Sequence, residues 1–163
     1  AMEEGTGLAG LALSAPAIGI GVEVPTYKRA LAALASKLVP DLSMSSDIPL
    51  EWLTKDAEML AWAAADPLML GIGTARWFTE TLKTQSLVLS GAASITVPTL
   101  LLIAGDERLV STEANRAFRY RLGGSDPTWI EYPGLRHELF NEVERERVLG
   151  DLVSWLEARL EAT

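Results

Sequence analysis

An unbroken apolar run just after Pro98 constrains the fold of this chain more than any other feature. Residues 100–103 read Leu-Leu-Leu-Ile, with no polar side chain between them. A strand with one face in water alternates polar and apolar side chains, whereas a parallel strand covered on both faces does not. The run therefore predicts a buried parallel strand over residues 98–105.

Two carboxylates, Asp106 and Glu107, follow this predicted strand at once. Ligands of open α/β sheets bind beyond the carboxyl ends of the strands, so acids placed there are candidates for chemistry. The only histidine of the chain, His137, lies 30 residues after Glu107, beyond one predicted helix and one predicted strand. An acid and a histidine at successive strand ends form the strongest functional indication in the sequence.

The composition limits the possible partners and cofactors. The net charge is −8 and the isoelectric point about 4.7, so no basic stripe can neutralise phosphates and we expect no nucleic-acid partner. No apolar run approaches the roughly 18 residues of a membrane span, so we expect no membrane-spanning segment in this chain. The chain has one histidine and no cysteine, so we expect no metal site and no cofactor. The lack of cysteine fits a reducing compartment, and we predict a cytoplasmic location.

Hydrophobic periodicity predicts strands that alternate with helices, which is typical of an α/β fold with a parallel sheet. The predicted elements are a strand over 10–16, helices over 27–39, 56–65 and 73–85, a polar turn over 41–47, a helical tail over 87–94, and then a strand over 98–105, a helix over 112–122, a strand over 128–132 and a helix over 142–160.

Three strands are few for a parallel sheet of this kind. A three-stranded sheet with two exposed edges would make a poor free-standing domain, so we expect part of the sheet to lie outside this chain. We expect residues 1–18 to hold the first core strand. Residues 19–95 are predicted to form a helical insertion that lies over the sheet. Residues 96–163 would then supply the closing strands and helices, with the acid and the histidine.

An acid and a histidine make up two members of a nucleophilic triad, in which the acid orients the imidazole and the imidazole removes a proton from serine. No serine of the chain has glycines two positions before and two after, as a nucleophile elbow requires, so we expect the nucleophile outside this chain. The alternative is that Asp106 and Glu107 are solvated turn residues, one of which caps the helix near Thr112, and that His137 is simply packed.

Several segments resemble the monoacylglycerol lipase and lysophospholipase branch of the α/β-hydrolases. Residues 98–110 and 132–142 are similar to that family's closing strands and the loops after them. Residues 53–56 and 65–68 resemble its cap domain, and residues 10–16 resemble the strand that follows the nucleophile helix. The resemblance covers nearly the whole chain, and the similar segments follow one another in the order that they have in the family. It implies the C-terminal part of an α/β-hydrolase sheet with a helical cap insertion, whose first strands, oxyanion-hole loop and serine elbow lie in an upstream half.

The resemblance implies hydrolysis of a carboxylic ester, of the acylglycerol or lysophospholipid type, by a serine hydrolase. His137 would be the base, the upstream half would supply the serine, and this chain alone would be inactive. The family's spacing from the proline that opens the strand selects Glu107 as the acid. Its usual residue type, aspartate, selects Asp106, so both remain candidates.

Other interpretations stay open at this point. Glu138, Asn141 and Glu142 also fit the family pattern, but a solvated helix start with acids near its positive end accounts for them. The chain could instead be a non-catalytic module that binds a lipid or a partner. Another α/β-hydrolase chemistry, such as that of a thioesterase, peptidase or haloperoxidase, is the third possibility.

Overall fold

A three-stranded parallel sheet forms the centre of the computed structural model, which describes residues 7–46, 48–124 and 127–160. The predicted regions 1–18, 19–95 and 96–163 include residues 1–6, 47, 125–126 and 161–163, which lie outside the described residues. The strands are β1 (Leu11–Ser14), β4 (Thr99–Ala104) and β5 (Thr128–Tyr132), in the order β1-β4-β5. Both pairings are parallel, which confirms the predicted α/β class.

The central strand, β4, is buried along its whole length, with every residue at most 3% exposed. Its side chains alternate between two apolar clusters, as the two-residue period of a strand requires. One cluster includes helix α5 (Arg145–Leu160) and comprises Leu100, Leu102, Ala104, Tyr132, Leu135, Leu139, Val148 and Trp155. The other includes helix α4 (Thr112–Arg121) and comprises Ala92, Ile95, Leu101, Ile103 and Phe118. The prediction of a strand covered on both faces is confirmed.

Residues 19–95, called the insertion here, lie between β1 and β4 in the chain. Their elements are α1 (Thr26–Leu38), β2 (Ser43–Ser45), α2 (Ala57–Ala65), β3 (Ile72–Thr74), α3 (Ala75–Gly91) and short 3-10 turns at Leu50–Trp52 and Ala92–Ser94. Helix α1 packs on α3, where the hydroxyls of Ser36 and Thr79 are 2.8 Å apart. The side-chain amide of Gln85 in α3 donates to the carbonyl of Ala17, just after β1, over 2.9 Å. The insertion is thereby attached to the sheet.

The insertion contains two short strands that the sequence pattern does not predict. The pattern predicted a polar turn over 41–47 and a helix from residue 73, whereas β2 and β3 form an antiparallel pair. Three-residue strands are too short to show a period, so only their pairing reveals them. The helix begins at Ala75 instead, and the Thr74 hydroxyl caps it by accepting the N–H of Trp77 over 3.1 Å.

The predicted start of α2 is confirmed, and the predicted start of α5 is wrong. The carboxylate of Asp56 accepts the N–H groups of Glu58 and Met59 over 2.9 and 3.1 Å, as an N-cap residue does. Helix α5 begins at Arg145 rather than at Glu142, because the chain first makes a separate 3-10 turn at Leu139–Asn141.

The insertion leaves several large apolar side chains in water. Trp62, Leu68 and Leu70 are 65%, 81% and 69% exposed. None of the helices in the described ranges is both long and apolar enough to span a bilayer.

Gly105 ends β4 at a point where the loop after β5 approaches closely. A Cβ atom on this residue would lie 2.6 Å from the carbonyl oxygen of Tyr132 and 2.7 Å from Cα of Pro133. The N–H of Gly105 also donates to that Tyr132 carbonyl over 2.9 Å. Only a residue without a side chain allows this hydrogen bond and this approach together.

We expect Gly105→Ala to destabilise the protein by about 1–3 kcal/mol, the usual cost of forcing extra volume into a packed site. The added methyl group would push the loop after β5 away from the end of β4. Chemical denaturation followed by circular dichroism measures the free energy of unfolding.

Gly150→Ala is the matched control for this substitution. Gly150 lies in α5, and a Cβ there would meet no heavy atom within 4 Å. Because alanine favours a helix over glycine by about 1 kcal/mol, the control is expected to stabilise the protein. A similar loss of stability in both variants would contradict the steric explanation for Gly105.

Candidate active site

The two strand ends that precede the acids and the histidine are adjacent in the sheet. β4 and β5 run parallel, and their final residues, Ala104 and Tyr132, are paired. The pairing continues into the loops, where the N–H of Asp106 donates to the carbonyl of Leu135 over 2.9 Å. The loops after β4 and β5 are therefore joined through their backbones, independently of any side-chain contact.

Glu107 and His137 meet at this edge of the sheet. Nδ1 of the imidazole lies 2.9 Å from Oε2 of the glutamate. The side chain of Glu107 is 3% exposed and that of His137 is 24% exposed. An ionised carboxylate can only accept hydrogen bonds, so Nδ1 donates to Glu107. In the neutral form of the imidazole the lone pair is therefore on Nε2, which can accept a proton.

The other oxygen of Glu107 is held by its own turn. Oε1 accepts the backbone N–H groups of Arg108, Leu109 and Val110 over 2.9, 2.8 and 3.3 Å. Burial raises the pKa of Glu107, but the hydrogen bonds from His137, Leu109 and Val110 outweigh it and hold the pKa below its usual range. An ionised carboxylate therefore faces the imidazole.

Asp106 contacts cations instead of the imidazole. Its carboxylate lies 3.1 Å from Nε of Arg108, 3.5 Å from Nζ of Lys55 and 3.6 Å from Nε of Arg136. The hydrogen bond from Arg108, helped by Lys55, outweighs desolvation and lowers the pKa of Asp106. Within the described part of the chain, Asp106 forms no hydrogen bond or ion pair with His137.

Neither acid caps the helix that follows, so that alternative is wrong. The hydroxyl of Ser111 caps α4 by accepting the N–H of Ala114 over 3.1 Å. The expected cap position near Thr112 is thus one residue too late. Oε1 of Glu107 instead accepts the backbone N–H groups of residues 108–110, which precede the helix.

No serine in residues 7–46, 48–124 and 127–160 is hydrogen-bonded to His137. Ser14 is the last residue of β1, and Ser90 lies within α3, where its hydroxyl donates to the carbonyl of Leu87 over 3.0 Å. The same ranges contain no group of three or more histidine, aspartate or glutamate side chains placed to hold a metal ion.

The loop that carries the histidine, residues 133–142, is bonded to the insertion at several points. We call residues 133–142 the histidine loop. The N–H of Glu138 donates to the carbonyl of Leu53 over 2.8 Å. The hydroxyl of Thr54, which is 2% exposed, donates to the carbonyl of Asn141 over 2.8 Å. The insertion therefore contacts the histidine loop at two residues that follow His137.

Glu142 is fully buried at this junction, so the expectation of a solvated helix start is wrong for it. Its Oε1 accepts the N–H of Arg136 over 2.7 Å. Its Oε2 accepts the N–H groups of Lys55 and Val143, each over 3.2 Å. The contact with Lys55 spans 87 residues of sequence, which is why no local pattern indicates it.

Comparison with known proteins shows the family of the chain. Residues 1–144 match the family described as serine aminopeptidase, S33. Phospholipase YtpA of Bacillus subtilis is 32% identical over 146 residues, which cover 86% of this chain and 55% of that protein. Monoacylglycerol lipase of Mycolicibacterium smegmatis is 30% identical over 154 residues, which cover 92% of this chain and 54% of that protein. The chain thus spans about half the length of these curated relatives.

Solved structures agree on the fold. The crystal structure of Paleococcus ferrophilus monoacylglycerol lipase matches with a TM-score of 0.86 at 24% identity, over 94% of this chain and 60% of that one. A soluble variant of monoglyceride lipase from Saccharomyces cerevisiae matches with a TM-score of 0.77 at 20% identity, over 93% of this chain and 56% of that one. The sheet and helices described above therefore belong to the α/β-hydrolase fold.

The lowered pKa of Glu107 makes stability depend on pH. The folded carboxyl has a lower pKa than the ordinary value of 4.5, so the unfolded chain binds this proton more tightly. The stabilisation is therefore complete above pH 4.5 and is lost as the pH falls through the lowered folded value. We expect the free energy of unfolding to fall more steeply on acidification in the wild type than in Glu107→Gln. Urea denaturation across a pH series measures both curves, and parallel curves would contradict this account.

Proposed function

Because the chain belongs to the serine aminopeptidase (S33) family, in the monoacylglycerol lipase branch of the α/β-hydrolases, we propose that it supplies the acid and the base of a serine ester hydrolase. His137 is the general base, Glu107 orients it, and the serine lies outside these 163 residues. In this proposal residues 19–95 are the cap of the enzyme. Residues 1–18 and 96–163 belong to the core that carries the site.

The contact between Glu107 and His137 is the observation that carries this proposal. Nδ1 and Oε2 are 2.9 Å apart, and the carboxylate is buried and ionised. An acid so placed holds the imidazole in the tautomer that leaves Nε2 free, and it stabilises the imidazolium that forms during the reaction. Asp106 is the weaker candidate for this role because its carboxylate contacts Arg108 and Lys55.

The proposed mechanism is acyl transfer in two steps. Nε2 of His137 takes the proton of the serine hydroxyl while the serine oxygen attacks the ester carbonyl. The imidazolium then gives this proton to the leaving alcohol, and an acyl-enzyme remains. Water repeats the sequence: His137 removes its proton, the oxygen attacks the acyl carbonyl, and the proton returns to the serine. Throughout, Glu107 stays ionised and faces the positive imidazolium.

The relatives support the substrate class. One is named a phospholipase and the other a monoacylglycerol lipase, so an acylglycerol or a lysophospholipid-like ester is the proposed substrate. Since the chain spans about half of each relative, we propose that an upstream half of the fold supplies the serine and the oxyanion donors. A cytoplasmic location remains a prediction that the lack of cysteine supports.

Peptide hydrolysis is the second candidate, because the matching family is described as a serine aminopeptidase. The same acid and base serve amide and ester cleavage, so the two functions differ in the leaving group. A panel of acyl esters of increasing length, tested beside aminopeptidase substrates, separates them. Turnover of esters with no release of amino acids from peptides is the expected result.

A fluorophosphonate probe tests the proposed division of the triad. We expect no labelling of the 163-residue chain, because no serine within it forms the required elbow. We expect labelling of the protein that also contains the upstream half, and loss of labelling when His137→Asn removes the base. Labelling of the 163-residue chain would contradict the absence of the nucleophile. An unlabelled complete protein would favour the non-catalytic binding module.

Glu107→Gln and Asp106→Asn form a matched pair that identifies the acid. We expect Glu107→Gln to lower kcat by about 10³-fold or more, since the amide no longer holds the reactive tautomer. We expect Asp106→Asn to stay within about fivefold of the wild type, because partly exposed ion pairs contribute about 0–1 kcal/mol. Steady-state hydrolysis of a chromogenic ester measures both, and the reverse order of effects would assign the acid to Asp106.

A further inference from the structure

The backbone of the histidine loop is held by a hydrogen bond on each side of His137. The preceding N–H, that of Arg136, donates to Oε1 of Glu142 over 2.7 Å. The following N–H, that of Glu138, donates to the carbonyl of Leu53 over 2.8 Å. Both acceptors lie outside residues 136–138, the short stretch that they hold.

The second oxygen of Glu142 connects this arrangement to the insertion. Oε2 accepts the N–H of Lys55 and the N–H of Val143, each over 3.2 Å. One carboxylate at the end of the histidine loop thus joins the earlier part of this loop to the insertion. A fully buried carboxylate is costly to desolvate unless donors surround it, and here three backbone N–H groups do so.

Glutamine cannot replace Glu142 without a loss. Both oxygens of Glu142 accept hydrogen bonds from backbone donors. A carboxamide has one oxygen and one NH₂ group, so one end would place donor against donor. The residue therefore serves as an acceptor at both ends.

The insertion side of the junction is also held in place. The hydroxyl of Thr54 donates to the carbonyl of Asn141 over 2.8 Å and accepts the N–H of Asp56 over 3.0 Å. At the rim, Nη1 of Arg145 lies 2.8 Å from the carboxylate of Asp56. Residues 53–56 consequently form a fixed support for Glu142 and for the histidine loop.

We propose that Glu142 is a positioning residue that fixes the imidazole of His137 relative to Glu107 and to the insertion. This inference rests on the proposed function of His137 as a general base. A general base must hold its geometry closely, since a displacement of about 1 Å can lower the rate by about 100-fold. Glu142 acts through the backbone of Arg136, without contact to the imidazole.

The test compares Glu142→Gln with Glu144→Gln in the complete protein. Glu144 lies on the same segment, its side chain is 50% exposed, and it pairs only with Arg147 among the described residues. We expect Glu142→Gln to lower kcat for a short-chain ester by about ten- to a hundredfold. We expect a change in KM below about threefold, because the imidazole acts on the chemical step. The Glu144→Gln control is expected to retain wild-type kcat and KM.

Nitrogen-15 chemical shifts of the imidazole give a readout that is independent of activity. His137 is the only histidine among these 163 residues, and His137→Asn identifies its resonances in a longer protein. At alkaline pH we expect the Nδ1–H tautomer in the wild type and in Glu144→Gln. In Glu142→Gln we expect a larger share of the Nε2–H tautomer, since the contact with Glu107 is loosened.

Several results would overturn the inference. Unchanged nitrogen-15 shifts of the imidazole in a folded Glu142→Gln variant would contradict it. A higher KM with a normal kcat would also contradict it, because that result indicates that Glu142 affects only the shape of the insertion. If Glu142→Gln does not fold, as judged by circular dichroism, Thr54→Val weakens the same junction and must produce a smaller shift of the same kind. A wild-type protein without esterase or peptidase activity would contradict the proposed function, while the tautomer shifts would still decide whether Glu142 positions the imidazole.

Discussion

The parallel pairing of β4 with β5 is the interaction on which the candidate site depends. It brings the ends of two strands to one edge of the sheet, where one loop carries Glu107 and the other His137. The close approach at Gly105 and the hydrogen bond from Asp106 to Leu135 extend the pairing into these loops. The short distance between acid and imidazole therefore follows from backbone geometry, and the side chains complete it.

Backbone donors also explain how two carboxylates can be buried close to the histidine. Glu107 receives three N–H groups of its own turn on one oxygen and the imidazole on the other. Glu142 receives the N–H groups of Arg136 and of its neighbour Val143 and, from 87 residues away, that of Lys55 in the insertion. Asp106, which is more exposed, is balanced by cationic side chains instead. These acids thus differ in their contacts because they differ in their donors: Glu107 faces the imidazole of His137, whereas Glu142 joins the histidine loop to the insertion.

Local sequence patterns predicted the strands and helices that show hydrophobic periodicity or begin with an N-cap residue. The apolar run after Pro98 became the buried central strand, and Asp56 became the N-cap of α2. Patterns failed where an element exists only through a distant partner, as for β2 and β3, which are short and carry little apolar periodicity. They also failed for Glu142, since an acid near a helix start usually lies in solvent, and nothing in the local sequence reveals donors from the insertion.

By itself the sequence determined the α/β class, the strand ends that carry the acids and the histidine, and the family resemblance. Those properties depend on short-range periodicity and on motifs that can be read along the chain. The tertiary structure decided which acid contacts the imidazole and how the insertion holds the histidine loop. These contacts join residues that are 30 and 87 positions apart, and backbone pairing rather than residue type selects their partners.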